Sequence, residues 1–136
     1  KIMQRRVNKL AHQSTIKGRN SELTVMTALL ANGWEVAEPV APEPYDLVAR
    51  PPEQNDWIRI QVRTAHVRKD RDNAIVVYGR KNGGKPFTPN DCDYIAGVHG
   101  DTVYLFECTG LTEYWATETT AREKWTVIQA NAKEAV

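Results

Sequence analysis

Residues 57–65 constrain the fold of this chain most, because they read as a buried strand that carries two large polar side chains. Side chains alternate across a strand, so Gln61 and Arg63 project from the same face. An amide and a guanidinium cost several kcal/mol to bury without partners. The segment therefore predicts either a solvated face opposite a core-facing row, or a partnered polar site. Taken alone, it favours the solvated face.

Asp46 shifts this balance towards a polar site. It is an acid beside the apolar residues of a second short predicted strand, 45–49. An acid on one strand and a polar-x-basic pair on the next can together bind a divalent metal and a phosphate. A turn-capping role is the alternative explanation for Asp46.

The remaining pattern predicts helices at both ends of the chain and a run of strands between them. Apolar residues recur at helical spacing over residues 2–13, and again from a cap at Asn20 or Ser21 to an end at Gly33. Strands are predicted for residues 34–38, 45–49, 57–65, 74–79, 94–98 and 102–107, and one helical turn starts at Thr88. This order predicts an α/β (α+β) fold, with a mixed central sheet flanked by helices.

The length of 136 residues fits one domain. Residues 1–17 are expected to form a basic N-terminal helix or arm, and residues 109–136 a C-terminal helical extension. No membrane-length apolar run or signal peptide is visible, so we expect no membrane partner and a cytoplasmic location. Cys92 and Cys108 lack metal-ligand spacing and are expected to be free thiols.

The formal net charge is only +1, so no overall positive field indicates nucleic acid. The basic residues are grouped, however. Any single group is most often a solvated loop, but near a nuclease site these residues would contact DNA phosphates. The candidates are Lys17, Arg19, Arg68, Lys69, Arg71, Arg80, Lys81 and Lys85.

Four side chains can be assembled into a site for phosphodiester hydrolysis, which needs a hard cation. Mg²⁺ prefers oxygen ligands. Asp46, the side-chain oxygen of Gln61 and the backbone carbonyl of Val62 can supply three, and Glu22, water and phosphate can complete the shell. Arg63 would hold the attacking water or the charged phosphate oxygens. Glu22 is equally well explained as a first-turn acid that complements a helix dipole.

In this order, the residues resemble the PD-(D/E)XK nuclease superfamily. They are most similar to archaeal-type Holliday junction resolvases and to group I intron homing endonucleases of this fold. The homing branch uses glutamine in place of an acid, as Gln61 would here. The resemblance covers roughly residues 15–108 and rests on these stretches: Gly18-x-x-x-Glu22, Leu29-Leu30-x-x-Gly33-Trp34-x-Val36, Tyr45-Asp46-Leu47-Val48, Ile60-Gln61-Val62-Arg63-Thr64-Ala65 and 86–96.

The resemblance implies a restriction-endonuclease-like αβββαβ core and a metal-dependent DNA endonuclease. Its substrate would be branched or specific duplex DNA, its cofactor Mg²⁺ or Mn²⁺, and its assembly a homodimer or homotetramer. The implied catalytic residues are Glu22, Asp46, Gln61 and Arg63. The implied metal ligands are Asp46, Gln61, Glu22 and Val62.

Residue 63 departs from the family pattern, which has lysine there. Arginine stays protonated and cannot act as a general base, but it binds phosphate bidentately. Two further hypotheses therefore stay open. One is a catalytically weak or inactive DNA-binding module on the same fold. The other is a structural or protein-interaction domain, which would show a neutral convex face around Asp46 in place of a basic groove.

Overall fold

The computed structural model describes residues 12–130, which form two α-helices and eight β-strands. Most of the helix predicted over residues 2–13 lies outside the described residues. Neither described helix has the length and apolar character needed to cross a bilayer. The elements are α1 (Gln13–Ala31), β1 (Glu35–Ala37), β2 (Leu47–Arg50), β3 (Ile58–Arg68), β4 (Ala74–Tyr78), β5 (Tyr94–His99), β6 (Thr102–Glu107), β7 (Glu113–Ala116), α2 (Glu118–Lys124) and β8 (Thr126–Gln129).

Helix α1 begins at Gln13, well before the predicted caps at Asn20 and Ser21. Residues 14–19, which lie between the two predicted helices, are therefore helical as well. Gly18 in this stretch costs about 1 kcal/mol relative to alanine, which burial of the apolar face of the helix offsets. The predicted end at Gly33 is confirmed, since its φ of 84° is left-handed and the N–H of Trp34 bonds the carbonyl of Leu29 at 3.0 Å.

The eight strands form one mixed sheet whose main path runs β1-β2-β3-β5-β6-β8. Strands β3 and β5 are parallel, and the other pairs are antiparallel. Strand β3 has different partners along its length. Its first half lies between β2 and β5, whereas residues 65–68 pair with β4, which in turn pairs with β7. The sheet therefore divides just after residues 61–63.

Two apolar cores cover the two faces of the sheet. Helix α1 covers one face, where Leu29 packs with Ile60 and Val62 of β3. The other face holds an aromatic core to which Ala65 of β3 belongs. Alternation along β3 thus places residues 61 and 63 on the side away from α1. The aromatic core also contains Phe87, Phe106, Tyr114, Trp125 and the free, buried thiols of Cys92 and Cys108.

A glycine lets the sheet curl tightly beside β3. Gly97 on β5 is the register partner of Arg63. A Cβ added at Gly97 would lie 2.5 Å from Cγ2 of Val77 on β4. Strand β4 therefore packs over β5 at a distance that no larger residue at position 97 would permit.

The predicted helical extension over residues 109–136 is corrected by the structure, whose described part there has two strands and one short helix. Strand β7 pairs with β4, and β8 pairs with β6. Their aromatic and β-branched side chains suit strand pairing, and apolar runs this short do not distinguish helix from strand. The residues concerned are Tyr114, Trp115, Val127 and Ile128.

The single turn predicted to start at Thr88 forms: the Thr88 carbonyl accepts from the N–H of Asp91 at 2.8 Å and of Cys92 at 3.3 Å, and the turn does not continue into a helix. The carboxylate of Asp91 accepts hydrogen bonds from the N–H of Thr88 at 2.8 Å and from its hydroxyl at 3.2 Å. Asp91 caps this turn, and Thr88 does not. The connection from β4 to β5 consequently has a turn where the αβββαβ pattern has its second helix.

Candidate active site

Asp46 immediately precedes β2 and is held against β3 from two sides. Its N–H donates to the carbonyl of Ile60 at 2.9 Å, and its carboxylate accepts from the N–H of Val62 at 2.8 Å. The Asp46 side chain thus extends the hydrogen bonding to β3 beyond the first residue of β2. Asp46 was expected within the second strand; it lies one residue before that strand, in a position that the backbone fixes.

The electrostatics of Asp46 link it to two other predicted site residues. Burial raises the pKa of Asp46 above its ordinary value, and repulsion by Glu22 adds to the rise. The N–H of Val62 and the positive charge of Arg63 oppose it. The fold therefore brings Glu22 and Arg63 within electrostatic reach of this carboxylate.

Gln61 and Arg63 lie on the face of β3 predicted for them, and both are partly buried. The side-chain nitrogen of Gln61 lies 3.4 Å from the carbonyl oxygen of Val62. Asp46 and Gln61 therefore contact the N–H and the carbonyl of the same residue. The Nε of Arg63 donates to the Tyr78 carbonyl at 3.1 Å. Its two terminal nitrogens have no hydrogen-bond partner within residues 12–130, and neither has any acid in ion-pair range.

Glu22 is paired with an arginine. Arg19 donates to Glu22 at 3.0 Å and to Glu38, at the end of β1, at 2.8 and 3.2 Å. Arg19, a predicted DNA contact, is thus shared between two acids. Glu38 was not among the predicted site residues. Its signal was an acid at the end of a predicted strand, but its proximity to α1 exists only in the folded chain.

The donor set fits a hard divalent cation better than a soft one. No three acidic, histidine or cysteine side chains within residues 12–130 are grouped to hold a metal. The site instead offers the carboxylate of Asp46, the amide of Gln61, the carbonyl of Val62 and, on α1, Glu22. These are oxygen donors of the kind that Mg²⁺ and Mn²⁺ accept. A cation would also relieve the repulsion between Asp46 and Glu22 that raises the pKa of Asp46.

The other predicted DNA contacts divide into two groups. Arg68 pairs with Asp70, Arg71 with Glu113, and Lys81 with Asp91, at 2.7 to 2.8 Å. Lys69, Arg80 and Lys85 are exposed and form no ion pair within the described residues. Arg80 stacks over the ring of Tyr78 at 4.8 Å, and its charge helps to lower the pKa of Arg63 after the larger effect of burial.

Lys17 lies on the wall of a cavity beside Arg63. The same wall includes residues that were not predicted to belong to the site. They come from α1 and from the α1-facing positions of β3, and their juxtaposition depends on how α1 crosses the sheet. These residues are Ser14, Ser21, Thr64 and His66.

A partly buried carboxylate just before β2, an amide and an arginine on β3, and a glutamate on the covering helix are the arrangement predicted for a nuclease of the restriction-endonuclease-like class. The chain belongs to the PD-(D/E)XK endonuclease family, whose model matches residues 12–133. The predicted superfamily is therefore confirmed. Nucleases of this family generally use divalent metals, and membership implies a DNA substrate. It supports the nuclease hypothesis over the protein-interaction hypothesis.

The fold is also similar to a solved structure. That structure is a bacterial homing endonuclease, I-Ssp6803I, with a TM-score of 0.65 and 19% sequence identity over 84% of this chain and 89% of the other. At this identity the likeness concerns the fold, and it confirms the predicted α/β (α+β) class with a restriction-endonuclease-like sheet. No curated protein sequence matches the chain significantly.

Proposed function

We propose that this chain is a Mg²⁺-dependent DNA endonuclease that hydrolyses one phosphodiester at each active site. The observation that carries the proposal is the grouping around Val62. The carboxylate of Asp46 is fixed on its N–H, the Gln61 amide lies beside its carbonyl, and the partly buried Arg63 follows one residue later. Mn²⁺ is expected to replace Mg²⁺, because both accept oxygen ligands.

Four groups would hold the cation: Asp46, Gln61, the carbonyl of Val62, and Glu22 directly or through water. The bound Mg²⁺ would supply the positive charge that activates water and neutralises the phosphate. Asp46 would keep its orientation without cost during the reaction, because the N–H of Val62 already holds it. Glu22 would have to share its carboxylate with Arg19, or release it.

Arg63 would stabilise the negative charge that grows on the non-bridging phosphate oxygens. Its terminal N–H groups are available for a bidentate contact. During hydrolysis, the water oxygen bonds to phosphorus, one ester P–O bond breaks, and the leaving oxygen gains a proton. Arginine stays protonated, so the proton of the attacking water does not pass to residue 63.

Cleavage assays on duplex DNA and on a four-way junction test this function, with Mg²⁺, Mn²⁺ or EDTA in parallel. In Asp46→Asn the amide oxygen can still accept the Val62 N–H bond, but the charge is lost. We expect its cleavage rate to fall at least about 100-fold. The matched control is Asp101→Asn, an exposed acid on the β5–β6 turn. Equal cleavage by Asp46→Asn and wild type would contradict the proposal.

The substrate is proposed to be branched DNA or a specific duplex, cut by a homodimer or homotetramer. Each chain carries one grouping around Val62, so cutting both strands requires two chains. Light scattering after size-exclusion chromatography measures the assembly. Faster cutting of the junction than of any linear duplex indicates shape recognition, and cleavage at one duplex sequence indicates base readout.

A second candidate function is a DNA-binding module with little or no catalysis. It is favoured by the lack of a three-acid cluster within residues 12–130 and by arginine at position 63. This candidate predicts salt-sensitive DNA binding without cleavage in any metal. Two variants, Arg63→Lys and Arg63→Lys with Gln61→Glu, separate the two candidates. If the wild type does not cleave DNA and either variant does, the wild type is the DNA-binding module.

A further inference from the structure

A cavity of about 330 Å³ lies between the first half of α1 and strand β3, next to the candidate active site. Lys17, Arg63 and His66 contribute to its lining, and no acid among residues 12–130 does. Arg63 belongs to both the cavity and the active site. The cavity is therefore a positively charged space that continues directly from the proposed point of cleavage.

The basic residues of this cavity lack counter-ions. Within residues 12–130, neither Lys17 nor Arg63 forms an ion pair, whereas Arg19 on the same helix binds two acids. Burial lowers the pKa of His66, and the charges of Lys17 and Arg63 lower it further. Positive charges held together without an acid favour the binding of an anion.

Hydroxyl groups provide hydrogen-bond donors from three elements around the same space. Ser21 on α1 and Thr64 on β3 are 3.2 Å apart and share one hydrogen bond, which leaves one O–H of the pair able to donate. The Tyr78 hydroxyl accepts from Arg68 at 2.6 Å, so its own hydrogen can also donate. Hydroxyl donors from several elements suit a phosphate, which has several acceptor oxygens.

We propose that this cavity binds a second phosphate of the DNA backbone, next to the phosphate that is cut. Lys17 supplies the charge, and Tyr78 with the Ser21–Thr64 pair supplies neutral donors. Arg63 borders both phosphates and fixes their spacing along the strand. This subsite rests on the proposed function, since it requires DNA to cross the active site.

The salt dependence of DNA binding tests the subsite independently of cleavage. Fluorescence anisotropy with a labelled duplex in EDTA gives the association constant at several salt concentrations. Loss of one phosphate contact flattens the logarithmic salt slope by about 0.9. We expect this change for Lys17→Gln, with the wild-type slope kept by Lys17→Arg. Lys17 is exposed, so these variants should fold.

The matched control is Arg122→Gln, which removes one exposed positive charge on α2. Its slope should equal that of wild type. An unchanged slope in Lys17→Gln, or an equal change in both variants, would overturn the subsite. DNA binding is measured without metal and therefore does not depend on cleavage. If Lys17→Gln shows the slope change but the wild type never cuts DNA, only the proposed function is contradicted.

Two further measurements distinguish the possible sources of the phosphate. A methylphosphonate replaces one charged phosphate of the duplex with a neutral group. At one position along the duplex, this replacement should weaken DNA binding by the wild type but not by Lys17→Gln. That pattern assigns the cavity to a backbone phosphate. Inorganic phosphate that protects Lys17 from chemical modification, with no sensitive methylphosphonate position, would instead assign it to a free anion and overturn the DNA subsite.

Discussion

Two arginines on strand β3, four residues apart and on the same face, have opposite surroundings. Arg59 donates from Nε and Nη2 to Asp93 at 3.2 and 3.0 Å, and from its terminal nitrogens to the carbonyls of Pro89 and Asn90 at 2.9 Å. Among the described residues, the side chain of Arg63 has one hydrogen bond, from Nε to the Tyr78 carbonyl. Arg59 is thus fully partnered, and Arg63 is not.

The pKa values of the two guanidinium groups move in opposite directions because their surroundings differ. Hydrogen bonding to Asp93 raises the pKa of Arg59, whereas burial lowers the pKa of Arg63. A buried, under-partnered cation is unfavourable unless something else binds it. The difference separates an arginine that holds β3 to the β4–β5 connection from one that is available to a phosphate.

The largest expected effect is on cleavage. Arg63→Ala should lower the cleavage rate by about 100- to 1000-fold, because it removes the donors nearest the growing phosphate charge. Single-turnover rates with saturating enzyme measure this change. Arg59→Ala, compared per folded molecule, should stay within a few-fold of wild type. Equal losses in both variants would show that the two arginines do not differ in function.

The next effect is on stability and falls on the other arginine. Arg59→Ala should lower the free energy of unfolding by about 1–2 kcal/mol, a moderate value because the Arg59–Asp93 pair is partly solvated. Arg63→Ala should cost less or should stabilise the fold, since it removes a partly buried charge. Urea unfolding measures both. A larger loss in Arg63→Ala would assign Arg63 a structural role.

The smallest effect is a pH dependence at Asp46. A raised pKa means that the ionised carboxylate destabilises the fold at neutral pH, and that this penalty disappears as the pH falls through the raised pKa to the ordinary value. In EDTA, Asp46→Asn should therefore be more stable than wild type at neutral pH, and the two should converge in acid.

Arg63 opposes this shift, so the gain from Asp46→Asn should be larger in an Arg63→Ala background and unchanged in Arg59→Ala. Urea unfolding at a series of pH values, with and without Asp46→Asn in all three backgrounds, gives the comparison. A gain that does not respond to Arg63 would show that its charge does not reach Asp46.

Local patterns were enough to predict the parts of this fold that depend on neighbours in sequence. The end of α1 at Gly33, the six strands from 34 to 107 and the shared face of Gln61 and Arg63 follow from glycine conformation and strand alternation. The start of α1 did not, because a polar segment with Gly18 becomes helical only when the rest of the helix is packed. Strands β7 and β8 exist because β4 and β6 offer edges to pair with.

The partners of the charged residues were even less predictable. Nothing in the order of residues distinguishes Arg19, which is held by Glu22 and Glu38, from Lys17, which pairs with no acid in the described part of the chain. Likewise, Arg59 and Arg63 occupy equivalent positions in the strand pattern. Only the course of the chain around them, which brings Asp93 to Arg59 and the Tyr78 carbonyl to Arg63, separates a structural cation from a candidate catalytic one.

Gly97 lies outside the candidate site, but its lack of a side chain controls the spacing of the site residues. Any side chain there would push Val77 away, and the next residue along β4 is Tyr78, whose carbonyl holds Arg63. A mutant library that spares every candidate site residue should therefore still lose function at position 97. The tolerance of this enzyme to substitution is set in part by a residue with no side chain.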